Sequence, residues 1–420
     1  VTTITEAYNT ANVATVVTNA LNITGNTELV SITGGSILAT DVNTILGATS
    51  GNVTAIVTAD TAAALNTALT NATTGTDALT LTINDTSLTS VSNLLALDGK
   101  TNVAVNASSV NSMTDTYTNL NLAYNAGIAG TISGLGNEAV TISDTTSAAN
   151  VNTIAGRTSG VLTATITTGA VTSTLAAITN VDANDVITFT TNDTSVDASD
   201  LVALALKVDT LGVNSVTTIT EAYNTASVAT VVTNALNITG NTELVTITGG
   251  AISATDANTI LGATSGIVTA TVTADTAANL NATLTNATAT DALTLTVNGA
   301  TAQATDLIGL DNKTSVDVSV TATAVSGTFA NLNTVYVTNA ANYANLGDEN
   351  VTITDTTSAA NANTILGATS EIVTATVTAD TASNLNSALT NATTGTDVLT
   401  LTVNGATAQA TDLIGLDNKT

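Results

Sequence analysis

The sequence repeats itself, and it does so at more than one period. Val1 to Gly35 reads VTTITEAYNTANVATVVTNALNITGNTELVSITGG, and Val216 to Gly250 returns it with only Asn12 replaced by Ser227 and Ser31 by Thr246, an offset of 215 residues. A shorter repeat lies inside this one. TILGATS begins at Thr44, Thr259 and Thr364, with the related TIAGRTS at Thr153. IVTATVTADTA begins at Ile267 and Ile372, and DLIGLDNKT at Asp306 and Asp412. Self-similarity of this kind constrains the fold more than length does, because each unit buries too little apolar surface alone and must stack on its neighbours. We therefore expect four modules, 1–100, 101–215, 216–314 and 315–420, in one continuous solenoid. Lys100, Lys207, Lys313 and Lys419 mark the same place in each.

Each module divides further. Segments that alternate apolar residues with Thr predict strands at Val216–Thr220, Leu244–Thr248, Val268–Thr273, Leu293–Val297 and Val316–Val320, and about 16 such strands in all, mostly 23 to 29 residues apart. The intervening segments carry a helical pattern. Asp275 or Thr276 suits an N-cap. Leu280 and Leu284 then share a helix face, as do Leu65 and Leu69 after Asp60, and Leu385 and Leu389 after Asp380. Gly47, Gly262 and Gly367 follow Ile-Leu pairs, which predicts left-handed C-caps. The expected fold is an α/β tandem-repeat solenoid of parallel strand–short helix coils, each of about 25 residues. The alternative is a pure β-solenoid.

Composition agrees with thin layers. Hydrophobic residues make up 44% of the chain, yet aromatics only 2%, so the core must be built from Ala, Val, Leu and Ile. With 32 acidic and 5 basic residues, no nucleic-acid partner is expected, since phosphate binding needs Lys and Arg. No membrane insertion is expected either, because no run of 18 apolar residues occurs. Pro is absent, which suits a chain whose backbone donors are nearly all used. Val1 begins in mid-pattern and Thr420 is equivalent to Thr314, from which we expect a window of a longer or processed polypeptide.

The chemistry available is narrow. The chain has no His and no Cys, which removes the usual general base, thiol nucleophiles and the common soft metal ligands. No enzyme and no cofactor are expected. The four Lys recur once per module and are expected to be solvated turn residues beside Asp98, Asp311 or Asp417. Arg157 stands where the related segments have Ala (Ala48, Ala263 and Ala368) and reads as drift. Calcium is the one ion considered, with Asp182 and Asp185, and Asp348 and Glu349, as weak candidate ligands, although their spacing matches no known calcium loop. Asn-x-Thr sequons such as Asn22-Ile23-Thr24 and Asn71-Ala72-Thr73 arise by chance in so Asn- and Thr-rich a chain. The alternating strands place Thr269, Thr271 and Thr273 on one side and Val268, Ala270 and Val272 on the other, so stacking should make exposed Thr columns with hydroxyls bonded from coil to coil. Such columns also look like the faces of ice-binding solenoids.

Two further stretches carry a resemblance. TDTTSAANANTILGATSEIVTATVTADTASNLNSALTNA, from Thr354 to Ala392, and LTLTVNGATAQATDLIGLDNKT, from Leu399 to Thr420, resemble the repeats of giant bacterial cell-surface proteins of the cyanobacterial type, including those linked to swimming in marine unicellular forms. The likeness covers the whole chain, lies in repeat style and composition, and carries no functional residues. It implies secretion to the cell surface or beyond and a scaffold, filament or adhesin role. The expected function is thus a structural repeat protein forming an extracellular filament, surface fibre or surface-layer scaffold by self-association, end to end or laterally. The alternative is an adhesin stalk, or an ice- or carbohydrate-binding solenoid using the Thr-rich face.

Overall fold

Alternating Val, Ala and Thr cannot bury both faces of a strand, so every strand needs a helix on its apolar side. The computed structural model describes residues 1–8, 12–72, 76–224, 227–393 and 396–420. Among these, sixteen α-helices, one π-helical and one 3-10 turn alternate with twenty-five strands, giving a mixed α/β fold. Every strand pairing is parallel. The helices distinguish this fold from the all-β alternative.

The chain forms two compact units. One comprises Val1–Asn192 with Ala203–Val213, the other Asp193–Val202 with Asn214–Thr420. In the first, a four-stranded sheet runs Thr3–Ala7, Leu29–Ile37, Val53–Val57, Ala78–Thr80. A six-stranded sheet continues from Ser87–Leu88 through Ser112–Asp115, Ala139–Ile142, Leu162–Thr165 and Val186–Thr190 to Thr210–Gly212. In the second unit, two five-stranded sheets run from Ser195–Asp197 to Ala292–Thr294 and from Ala302–Gln303 to Val398–Thr400. Within each sheet, spatial neighbours follow chain order. A helix between successive strands returns the chain to the same end of the sheet, which is why the pairs are parallel.

The expected strands are present with adjusted ends. Thr218–Ala222, Leu244–Ile252, Val268–Val272 and Val318–Val320 match their predicted places. The predicted strand Leu293–Val297 is two, Ala292–Thr294 and Thr296–Val297, which join different sheets. This doubling of strand segments within a repeat is why the total exceeds the expected sixteen. Val268, Ala270 and Val272 are buried while Thr269 and Thr271 are exposed, as the alternation requires.

The short helices start as the sequence suggests. Thr61, Thr276 and Thr381 are the N-caps, each accepting a hydrogen bond at Oγ1 from the amide three residues on, at 3.2, 3.2 and 3.3 Å. The preceding Asp60, Asp275 and Asp380 each accept the Thr amide at 2.7 Å. Leu65, Leu280 and Leu385 are buried within their helices, and Leu69, Leu284 and Leu389 are buried at the helix ends.

Gly47, Gly262 and Gly367 correct the expectation of left-handed caps. Gly47 and Gly367 have φ of −72° and −85°, and Gly262 lies inside the helix Ala254–Ala263. Space, not backbone conformation, demands glycine there. A Cβ would stand 2.8, 2.7 and 2.6 Å from Nδ2 of Asn71, Asn286 and Asn391, respectively.

Candidate functional site

The polar side chains that recur in every module act between successive repeat units. Four arrangements account for most of them.

The first joins two asparagines. Asn71 donates its backbone amide to Asn43 Oδ1 at 2.6 Å and its side-chain Nδ2 to the Asn43 carbonyl at 3.0 Å, a carbonyl in the last turn of the helix Ala39–Leu46. Asn180 with Asn152, Asn286 with Asn258, and Asn391 with Asn363 repeat both bonds. Any side chain at Gly47, Gly156, Gly262 or Gly367 would collide with this clasp. Asn71 thus commits its side-chain Nδ2 and its backbone amide to Asn43; Thr73 of its sequon lies outside the described residues.

The second uses buried aspartates. Asp77, Asp185, Asp291 and Asp397 accept at Oδ1 from the amides of Val53, Leu162, Val268 and Val373 at 2.8, 2.8, 2.9 and 2.9 Å. Each amide belongs to the strand one unit earlier, and each carboxylate is nearly inaccessible to water. A buried carboxylate is tolerated only when its lone pairs are taken up by such donors. Elsewhere later carboxylates cap earlier helices: Asp85, Asp144 and Asp355 accept the amides of Ala62, Tyr117 and Phe329, the first residues of three helices, at 2.6, 2.8 and 2.8 Å. There the negative charge also meets the positive end of the helix dipole.

The third involves buried glutamates. The backbone carbonyls of Glu28, Glu138, Glu243 and Glu349 accept hydroxyl bonds from Thr49, Thr158, Thr264 and Thr369 in the following unit, at 2.8, 2.6, 2.7 and 2.8 Å. The carboxylates fold back onto local amides. Two of them also take a tyrosine: Tyr124 donates its hydroxyl to Glu138, and Tyr336 donates to Glu349 at 3.0 Å. Burial, followed by the neighbouring carboxylate, pushes both phenols well above their ordinary range, so they stay neutral donors.

The fourth is the lysine series, and it corrects the expectation of solvated turn residues. Lys100, Lys313 and Lys419 are half-buried and donate from Nζ to the carbonyls of Leu69, Leu284 and Leu389, the C-cap residues of earlier helices. Lys207 donates to the carbonyls of Ile178 and Val181 at 3.1 and 3.0 Å. A cation belongs at that negative end of a helix. The next residue, Thr101 or Thr314, is buried and clamps Leu79 or Leu293 by both its amide and its carbonyl.

The calcium candidates divide differently from their sequence pairing. Asp185 turns inward and holds two amides, those of Leu162 and Asp182, while Asp182 accepts from the Asn184 amide at 2.8 Å. Glu349 is buried on Tyr336 and Gly347, whereas Asp348 faces solvent. Among the described residues no three Asp or Glu side chains gather as a metal site would require. Arg157 lines a hollow of about 340 Å³ with Tyr124, Ile128, Ile132 and Leu135.

The outward strand faces carry Thr columns that are short. Thr220, Thr246 and Thr269 stand in register, and Ala292 ends the column. Ser326, Thr352 and Thr374 end likewise on Val398. Register breaks between Ser31 and Ser36, Thr246 and Ala251, and Thr352 and Thr356 interrupt the face further. Several hydroxyls reach carbonyls of the neighbouring unit, as from Thr220 to Val196, Thr273 to Ile252 and Thr378 to Thr357.

No helix among the described residues is long and apolar enough to cross a membrane. No protein-family model and no curated protein matches the chain.

The inward carboxylates are the feature that composition concealed. A signal was present: Asp77, Asp185, Asp291 and Asp397 hold the same place in their modules, each just ahead of a strand. Recurrence alone does not distinguish them, since Asp60, Asp275 and Asp380 recur too and stay open to solvent; the place directly ahead of a strand does.

Proposed function

We propose that this chain is a non-catalytic structural protein. It is a solenoid of stacked strand–helix coils that builds an extracellular filament, surface fibre or surface-layer scaffold by self-association. The observation that carries this reading is the recurrence in all four modules of the same inter-unit clasps: Asn on Asn, Asp on amide, Lys on carbonyl. These Asn, Asp and Lys side chains hold one coil to the next, and repetition of such a joint produces length. Parallel sheets whose strands follow chain order support the same architecture. The short, interrupted Thr columns favour the scaffold over an ice- or carbohydrate-binding face, which would need a longer regular array. The resemblance to giant surface proteins and the strongly acidic balance accord with a place outside the cell.

Negative-stain imaging of the purified chain over a concentration series tests this. Continuous fibres or sheets are expected. Isolated particles at every concentration would refute self-association, and thermal hysteresis in the same samples would favour the ice-binding reading instead.

A further inference from the structure

Arg157, the chain's only arginine, lines a hollow of about 340 Å³ whose walls include Tyr124, Gly127, Ile128, Ile132 and Leu135. Among the described residues no Asp or Glu lines it. The Glu138 carboxylate, which holds Tyr124, is already taken up by the Tyr124 hydroxyl and the amides of Gly136 and Asn137. Arg157 is half-buried, so its guanidinium gives up part of its hydration beside a hollow that offers no carboxylate in return. Ile128, on the same wall, leaves 64% of its surface exposed.

The fourth module builds the same place differently. Thr116 and Thr328 cap equivalent helices, Tyr124–Glu138 and Tyr336–Glu349 are equivalent pairs, and Ile132 and Tyr343 hold equivalent strand positions, opposite Val105 and Val318. Where the second module has Gly127 and Gly134, the fourth has Asn339 and Asn345, whose side-chain amides reach Asp311 at 3.1 Å and Ser319 at 3.0 Å. Where the second has Ile128, Ile132 and Arg157, the fourth has Ala340, Tyr343 and Ala368. The differences act together. Two glycines remove polar side chains that bridge to the preceding unit, an isoleucine replaces the larger tyrosine ring, and a second isoleucine and a cation are added at the wall. A Cβ at Gly127 would meet nothing within 4 Å, so the space beside it is open.

We propose that this hollow binds a small amphipathic carboxylate, with the carboxylate on the Arg157 guanidinium and the aliphatic body against Ile128, Ile132 and Leu135. The planar fork of a guanidinium matches the two oxygens of a carboxylate, and the pair is strengthened where water is partly excluded. The apolar body covers surface that Ile128 otherwise leaves to water. A monoanion suits the site because a single guanidinium neutralises it; a doubly charged phosphate would bring one uncompensated charge to a chain of net charge −27. The volume lies at the small end of ligand pockets, about 300–1,000 Å³, which fits a short aliphatic acid. The site belongs to the second module alone by its arginine, so it adds a binding function that the repeated clasps do not carry.

Equilibrium dialysis of labelled octanoate against the full-length chain, in physiological salt, tests this. Binding at one site per chain is expected, with a dissociation constant of about 1 mM or tighter. Arg157→Ala restores the residue of the other three modules and should fold unchanged by circular dichroism, yet weaken octanoate about tenfold or more. Gly127→Leu, which fills the open space without touching the arginine, should weaken it comparably. Acetate lacks the body, octanol the charge, and octylamine reverses it, so each should bind the wild type about tenfold or more weakly than octanoate. The proposal is overturned if octanoate does not bind, if it binds at many sites, if octanol matches it, or if Arg157→Ala leaves its affinity unchanged. Failure of octanoate together with loss of fibres in Arg157→Ala would also overturn it, and would assign the hollow to a second copy of the chain. Fibre formation by the wild type is read separately, so the scaffold reading and this site stand or fall independently.

Discussion

The duplicated segment makes burial testable with sequence held constant. Leu307→Ala and Leu413→Ala are the same substitution in the same 22-residue sequence, one in a fully buried site and one 44% exposed. Truncating a fully buried Leu removes its transfer free energy and leaves a cavity, together about 2–5 kcal/mol. At Leu413 roughly half the transfer gain is present and no closed cavity forms, so the loss is about 1 kcal/mol. The readout is hydrogen exchange by mass spectrometry on peptides from the two copies, at a concentration too low for association. Local propensity and intrinsic exchange rates are shared, so only the covering differs. With 1.4 kcal/mol per decade, Leu307→Ala should speed exchange in its copy roughly a hundredfold, and Leu413→Ala in its own only about fivefold. Equal effects at the two sites would refute the argument that the covering unit, not the segment's own sequence, supplies its stability.

Gly262→Ala should destabilise by about 1–3 kcal/mol despite alanine's better helix propensity, because the new methyl meets Asn286; adding Asn286→Ala should recover part of the loss in urea melts, and no recovery would refute the clasp. Asp291→Ala strands the Val268 amide and should lower stability by about 1–3 kcal/mol, with faster exchange at Val268 as the local readout. Burial first, then Asp197 and Asp200, raises the Glu221 carboxyl above its ordinary value of 4.5. An acid raised in the folded state opposes folding while ionised, so the wild type should gain stability relative to Glu221→Gln as pH falls from neutral through the raised value toward 4.5; a constant difference across pH 7 to 5 would refute this. Exhaustive chelation should leave the melting temperature of the unassembled chain unchanged, since Asp185 and Glu349 already hold protein donors; a drop restored by calcium would overturn it.

What was legible in the sequence was local. Alternation in Val268–Val272 states which face is inward, and Thr276 followed by a Leu on the next turn states where a helix begins, because both follow from residues within one element. What was not legible depends on a neighbour some 20 to 30 residues away. Gly262 reads as a turn glycine until Asn286 is seen against it. Lys313 beside Asp311 reads as a surface pair, yet its ammonium reaches back to Leu284, 29 residues earlier. Acids in a chain of net charge −27 read as solvated, yet several are interior. Side-chain type records what a residue can bond, while stacking decides what is within reach.

These long-range bonds share a direction. Asp77, Asp185, Asp291 and Asp397 serve amides of the preceding unit, Lys100 and Lys313 its helix carbonyls, Asn71 and Asn286 its last helical turn, and Thr101 and Thr314 its strand. Each unit is completed by the one that follows it. Backbone groups at a helix end or strand edge that lack such a follower must be satisfied by water or by another chain.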